Sequence, residues 1–257
     1  MADETPLRVA SKEDGALWTV VLGGAKGHIL DRPMMDALAE VFTRAAGDPH
    51  VKAVCLTGEG ANFSYGASVP EHMPDAVEGM LHRFHTLVLQ MIDSAVVTLA
   101  AVRGQCLGGA LELVSLCHRV FSAPDARLGQ PEIVLGVFAP VASIALADRV
   151  GRARAEDLCL TGRSVDAVEA CRIGLVDEVV EDPVAAAEQY ARAYLLAKSA
   201  SSLRHAVRAV RSGLRARLAA ELPLVERLYL DDLMRTHDAV EGLRAFIDKR
   251  PAAWRNR

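Results

Sequence analysis

Along the first two-thirds of the chain, short β-branched apolar runs alternate with stretches of helical period; in the last third only the helical period remains. Residues 7–10 and 17–22 are strand-like and are joined by Lys12-Glu13-Asp14-Gly15, which predicts a hairpin. Asp31 followed by Arg32-Pro33 supplies an N-cap and an early helical proline, so a helix is expected to about residue 46 with Met34, Leu38, Val41 and Phe42 inward. A buried strand at 51–56 completes a β-helix-β order, which favours parallel pairing with a right-handed crossover. Residues 80–92 read as an amphipathic helix, 96–102 as a buried strand, and 119–122 as another strand with its turn at 124–127. Helices are expected at 141–150, 154–160 and 165–173, with a last strand at 175–180. The tail reads as helices at 185–199, 203–213, 222–235 and 238–249, and its Arg-rich run 204–217 as a solvated helix face.

The pattern is most concentrated at residues 100–132, A-A-V-R-G-Q-C-L-G-G-A-L-E-L-V-S-L-C-H-R-V-F-S-A-P-D-A-R-L-G-Q-P-E. Gly104 and Gly108-Gly109 break the strand, and helical spacing starts at Ala110, so a helix opens near Gly109. Amides at a helix start lack intrahelical partners and lie at the positive end of the macrodipole. Without a side chain at Gly109, a ligand oxygen can approach its N–H, and Glu112 in the same turn can lean its carboxylate back toward those amides. Gly-Gly before a helix and an acid in the first turn also occur as an ordinary turn and dipole partner, so the rest of the chain decides.

Two other segments complement it. Gly66-Ala67 sits among small residues in the loop 61–74, where the N–H of Ala67 offers a second oxyanion donor. Glu132 follows the breaking sequence Gly129-Gln130-Pro131 and faces an apolar wall, Ile133, Val134, Leu135, Val137, Phe138, Ala139 and Pro140. Such a wall disfavours the ionised carboxyl and suits a proton donor near neutral pH; a turn cap is the plainer reading.

Composition narrows the classes. The chain has 257 residues, 51% hydrophobic and 24% charged, enough for one α/β unit with a helical tail. A net charge of −4 gives no footprint for nucleic acid or an anionic membrane. The acidic start, residues 1–6, does not resemble a secretory signal, and no apolar run is long enough for a membrane span, so a cytoplasmic location is expected. Five widely spaced cysteines read as reduced core thiols, and Cys106 as a nucleophile lacks an evident His partner. His72, His82 and His85 lack the neighbours a metal site needs and read as surface residues, so no metal is expected.

The ordered motifs F-S-Y-G-A-S-V, A-V-R-G-Q-C-L-G-G-A-L-E-L, L-G-Q-P-E-I-V-L-G, L-T-G-R-S-V-D-A-V-E-A-C-R-I-G-L-V-D-E-V-V and D-A-V-E-G-L-R-A-F-I-D-K-R together resemble the crotonase, or enoyl-CoA hydratase/isomerase, superfamily over nearly the whole chain. The resemblance implies an α/β fold, a spiral of ββα repeats over residues 1–182 with a helical trimerisation region at 183–257. It implies homotrimers, often paired into hexamers, an acyl-CoA thioester substrate, and neither metal nor redox cofactor. By position the oxyanion hole falls on the amides of Ala67 and Gly109, and the two carboxylates of the hydratase branch on Glu112 and Glu132. Tyr65, Gly66, Gly108, Phe138 and Pro140 are the expected pocket. Phe246 and Lys249 match groups that reach the CoA nucleotide of a neighbouring subunit, although core packing and solvation are their plainer readings.

The intact acid pair favours water addition, with Glu112 activating water and Glu132 exchanging a proton with the substrate carbon, or the reverse. Where common hydratases carry a glycine-rich segment after L-G, this chain has V-F-A-P-V-A-S-I-A-L, and His118 replaces a frequent Asp. The G-A-S-V-x-E-H-x-P loop with G-V-F-A-P is similar to the cyclohexa-1,5-diene-1-carbonyl-CoA hydratases of anaerobic benzoyl-CoA degradation. A general enoyl-CoA hydratase or isomerase, and a non-catalytic binding protein on the same scaffold, are the alternatives.

Overall fold

The computed structural model describes residues 5–24 and 27–257; the first four residues of the acidic start lie outside it. β1 (Leu7–Lys12) and β2 (Leu17–Leu22) form the expected antiparallel hairpin, with Leu7 opposite Leu22 and Lys12 opposite Leu17. α1 (Arg32–Gly47) starts where Asp31 Oδ1 accepts the Met34 N–H at 3.1 Å, and Pro33 occupies the first turn, where no N–H is needed. β3 (Ala53–Gly58) then lies parallel to β2. α2 (Val77–Asp93) leads into β4 (Val97–Val102), which is parallel to β3 and buried at every position. Coverage on both faces explains why these strands read as continuous apolar runs rather than alternating ones.

The strand-strand-helix unit recurs. β4 is followed by β5 (Gln105–Leu107) and α3 (Gly109–Ser115), and β6 (Arg119–Ser122) by β7 (Arg127–Gly129), a 3-10 turn (Pro131–Leu135) and α4 (Pro140–Val150). α5 (Arg152–Thr161), β8 (Ser164–Asp166), α6 (Ala167–Arg172) and the two-residue β9 (Glu178–Val179) complete the core. The main sheet has the order β1-β2-β3-β4-β6-β9, and a second sheet the order β5-β7-β8. The second sheet corrects the sequence reading, which took residues 124–127 as a turn and began a helix at 165. Three-residue strands are too short to show a period. Their glycines read as breaks, yet at Gly129 a Cβ would stand 2.5 Å from Ser164 Oγ, so glycine is what lets β7 meet β8.

The tail comprises α7 (Pro183–Tyr194), α8 (Ala200–Arg227) and α9 (His237–Ile247). α8 is one 28-residue helix where two were expected, with Pro223 inside it and a π turn (Leu228–Asp232) after it. Gly213 does not break it, because that position is exposed and nothing approaches within 4 Å of where its Cβ would be. The arginine face is not simply solvated. Arg204 donates to Ala45 O (2.8 Å), Ala46 O (3.0 Å) and Ser94 O (3.3 Å), closing the carbonyl ends of α1 and α2. Arg215 holds Asp93 through two bonds of 2.6 and 2.9 Å, and Arg217 pairs with Asp148. α8 thereby packs on α2 and α4, the helices behind the site. Among the described residues no helix is long and apolar enough to cross a membrane.

Candidate active site

Two loops cross at the mouth of α3, and glycine decides how close they come. At Gly58 a Cβ would stand 2.1 Å from Asn62 O, so only glycine lets the chain after β3 fold back over the strand end. That loop is then laced to β5: Ser64 N donates to Gln105 O (3.0 Å) and Leu107 N to Ser64 O (3.1 Å). The buried Ser64 hydroxyl donates to His28 O at 2.7 Å and accepts the Gly66 N–H at 3.0 Å. Gly66 has φ +92°, and a Cβ there would lie 2.5 Å from Leu107 O and 3.3 Å from Gly109 N. The Ala67 methyl lies 3.6 Å from where a Gly109 Cβ would be, so the two candidate oxyanion amides are neighbours. Neither the Ala67 nor the Gly109 N–H has an acceptor among the described residues. Both remain available to a ligand oxygen.

Glu112 is buried in α3, and its Oε1 accepts the Ala142 N–H at 2.8 Å. Its amide partners, Val141 and Ala142, belong to the first turn of α4 rather than to α3 itself, where the sequence reading had placed them. Burial pushes its pKa above the ordinary carboxylate range, against the opposing pull of those two N–H groups. Glu132 lies on the 3-10 turn, half-buried, with Oε1 2.7 Å from the point a Gly108 Cβ would occupy. Burial raises its pKa too, with the charge of Glu112 as the second cause. An ionised Glu112 thus disfavours ionisation of Glu132, which keeps the proton on the second carboxyl.

Gln130, almost fully buried, was not singled out from sequence although it stands two residues before Glu132. With its amide nitrogen turned inward it donates to Gly108 O at 3.1 Å and to both Glu132 oxygens at 3.3 and 3.2 Å; the opposite orientation would face oxygen with oxygen.

The cleft above these groups includes Ala67, Gly108, Glu132, Tyr65, His72 and Leu135 and encloses about 60 Å³. That is room for water but below the roughly 300 Å³ typical of ligand pockets. A hollow of about 420 Å³ between α4 and α5 shares Ala142 with the site but carries the charged Asp148, Arg152, Glu156 and Arg217, a poor lining for an acyl group.

Several expected residues stand elsewhere. Phe138 and Pro140 do not line the cleft: Phe138 packs edge-on against Tyr229, with centroids 5.1 Å apart, and Pro140 is buried in the first turn of α4. Ile133 and Val134 are exposed. The apolar wall from 133 to 140 is thus divided, because a 3-10 helix, with three residues per turn, points successive side chains in different directions. Phe246 is 56% exposed, which overturns core packing for it. Lys249, also on the surface, ends α9 in the left-handed conformation, with Lys249 N bonded to Phe246 O (3.1 Å) and Arg250 N to Ala245 O (2.9 Å).

The other candidates resolve as structural groups. Cys106 is buried, and burial raises its thiol pKa, which makes it a poor nucleophile; Cys171 is exposed, not a core thiol. His85 is not on the surface but buried, its Nδ1 2.5 Å from Glu226. His118 lies 3.0 Å from the Thr98 N–H, and burial lowers its pKa to about 3, so it stays neutral. His72, read from sequence as a surface residue, is a wall of the cleft.

Similarity to known proteins follows the same lines. A family model described as enoyl-CoA hydratase/isomerase matches residues 28–257. The cyclohexa-1,5-dienecarbonyl-CoA hydratase of Thauera aromatica is 50% identical over 253 residues, 98% of each chain. The crystal structure of an enoyl-CoA hydratase from Mycobacterium avium superposes with a TM-score of 0.86 at 23% identity, over 97% of this chain and 98% of that one. One from Mycobacterium avium subsp. paratuberculosis K-10 gives 0.84 at 25%, over 98% and 99%. With the family match spanning most of its length and the crotonase fold around paired glutamates, the chain belongs to the enoyl-CoA hydratase/isomerase family.

Proposed function

We propose that this enzyme is a hydro-lyase that adds water to cyclohexa-1,5-diene-1-carbonyl-CoA and forms 6-hydroxycyclohex-1-ene-1-carbonyl-CoA, in the breakdown of aromatic acids. The observation that carries the reaction type is the convergence of two unpaired amides, Ala67 and Gly109, with two carboxyls of raised pKa. The half-identical Thauera hydratase supports the cyclic substrate.

In this reading the thioester carbonyl oxygen accepts the Ala67 and Gly109 N–H groups. Water oxygen bonds to the ring carbon β to the carbonyl while its proton passes to Glu112. The electron pair of that C=C moves into the conjugated system, and negative charge grows on the thioester oxygen. Each amide donor there is worth about 3 kcal/mol of barrier. Glu132 then delivers a proton to the far end of the diene. One C=C remains conjugated with the thioester and the alcohol stands beside it, which balances the addition. Glu132 suits the acid role because burial and Glu112 keep its proton on. The reaction calls on no metal or redox cofactor.

The same reading has the chain acting in the cytoplasm as a homotrimer or paired trimers, with Phe246 and Lys249 meeting the CoA nucleotide held by a neighbouring subunit. The test is turnover of the cyclic diene against crotonyl-CoA with purified protein. A strong preference for the diene is expected; equal or greater turnover of crotonyl-CoA overturns the substrate.

A further inference from the structure

The hydration steps leave one polar wall of the cleft without a task. His72 closes the 3-10 turn (Val69–His72) that follows the Ala67 loop, and it lines the cleft together with Glu132. Its Nδ1 lies 2.8 Å from Ser68 O. A carbonyl oxygen can only accept, so Nδ1 carries the ring proton and Nε2 is left as an acceptor. No protein donor reaches Nε2 among the described residues, so with Nδ1 engaged by Ser68 it is the polar atom this cleft residue has left to offer. Burial lowers the His72 pKa, against the Ser68 bond, and so favours the neutral ring. The neighbouring wall residues Val69, Leu135 and Val137 are apolar, so this acceptor stands out in its surroundings.

An acceptor without a donor selects ligands that bring an O–H. The thioester oxygen and the ring carbons bring none. The attacking water brings two hydrogens: one leaves for the carboxylate, and the other stays on oxygen and becomes the hydrogen of the product alcohol. We propose that His72 Nε2 accepts this second hydrogen, first from the bound water and then from the hydroxyl of the acyl group, so that His72 orients the nucleophile and recognises the hydroxyacyl thioester. The inference rests on the hydratase reading. No proton moves onto His72 at any stage.

Two variants separate this role from loop support, because an Asn amide nitrogen overlays Nδ1 whereas the Gln amide overlays Nε2. Dissociation constants are measured for 6-hydroxycyclohex-1-ene-1-carbonyl-CoA and for cyclohex-1-ene-1-carbonyl-CoA, which lacks only the hydroxyl, alongside thermal melting. His72→Asn is expected to lower the preference for the hydroxylated ligand about tenfold with melting little changed, as for one lost hydrogen bond. His72→Gln is expected to keep most of the preference while melting lower, since it gives up the Ser68 bond. An unchanged preference in His72→Asn, or equal weakening of both ligands, overturns the inference. Should the wild type hydrate only linear enoyl thioesters, the cyclic substrate fails by itself, and 3-hydroxybutyryl-CoA against butyryl-CoA gives the same comparison. A wild type that binds neither pair defeats both.

Discussion

Glu112 and Glu132 carry the same carboxyl group within electrostatic reach of each other, one buried and one in the wall of the cleft, and the chain holds them by opposite means. Glu112 rides on a seven-residue helix in which every position is buried, and its oxygen is bonded to the first turn of a second helix. Shifting it means shifting two helices against a close-packed core. Glu132 rides on a turn whose next two residues are exposed, and it is steadied by contacts that glycine permits. Gly108 leaves room for its carboxyl, and at Gly242 of α9 a Cβ would stand 2.2 Å from Leu135 O, so glycine there seats the helix against the turn. In the hydration proposed above, the fixed acid would be the one to hold water in one place, and the acid on the turn the one to follow a carbon that changes geometry as it takes a proton.

The largest break in this comparison is to remove each acid. Glu112→Gln and Glu132→Gln are each expected to lower kcat for hydration by roughly 10²–10⁴-fold, the usual worth of a positioned acid or base. The double variant should fall well short of the product of the two losses, because the pair acts as a unit. Steady-state rates on the cyclic diene measure this; losses that simply multiply would mean that the carboxyls work independently.

Next in size is a change whose added methyl meets the Glu132 carboxyl and not that of Glu112. Gly108 has φ +54°, and a Cβ there meets Glu132 Oε1 at 2.7 Å. Gly108→Ala is expected to cost about 1–3 kcal/mol of stability from the backbone conformation and on the order of 10²-fold in kcat, as expected for about 1 Å of misplacement. The Glu112–Ala142 bond should be untouched. A variant of wild-type activity would show that the carboxyl position over Gly108 is not the working one.

Both acids can also be compared through stability against pH. Their folded pKa values are raised, so the protonated forms favour the fold: that stability is full below the ordinary carboxylate range and is lost as pH rises through the raised values. Glu112→Gln and Glu132→Gln are therefore expected to melt above the wild type at pH 8.5, with the gap closing toward pH 4. A tenfold difference in proton affinity between the folded and unfolded chain is worth about 1.4 kcal/mol. A gap independent of pH would assign the effect to packing instead.

The contrast between the acids also marks what could be read from sequence. The hairpin, α1, β3 and β4 were legible because long apolar periods and an Asp-x-Pro start encode them locally. The glycines at 66, 108 and 109 are local features too, and the close approach of the two loops expected from them is what the structure shows. What escaped depends on partners distant in sequence. The hold on Glu112 comes from Ala142, 30 positions away, and Arg204 reaches carbonyls more than a hundred positions back. His72 reads as a surface residue until the fold turns it toward the cleft, and the wall at 133–140 reads as continuous until a 3-10 turn divides it.

The smallest expected effect sharpens the comparison from the side where the two acids meet. Tyr229 is fully buried on the π turn after α8, and its ring packs on Phe138, which lies between the turn of Glu132 and the helix that holds Glu112. Its hydroxyl has no partner among the described residues, and burial, then the charges of Glu132 and Glu112, raise its pKa. An unpartnered buried hydroxyl costs about 1–3 kcal/mol. Tyr229→Phe deletes that oxygen and keeps the ring contact, so the variant is expected to melt at or above the wild type, by no more than about 1 kcal/mol once the lost dispersion of the oxygen is counted. Scanning calorimetry decides it. A lower melting temperature would mean that the hydroxyl is bonded in solution and that its oxygen contributes to the packing behind Phe138.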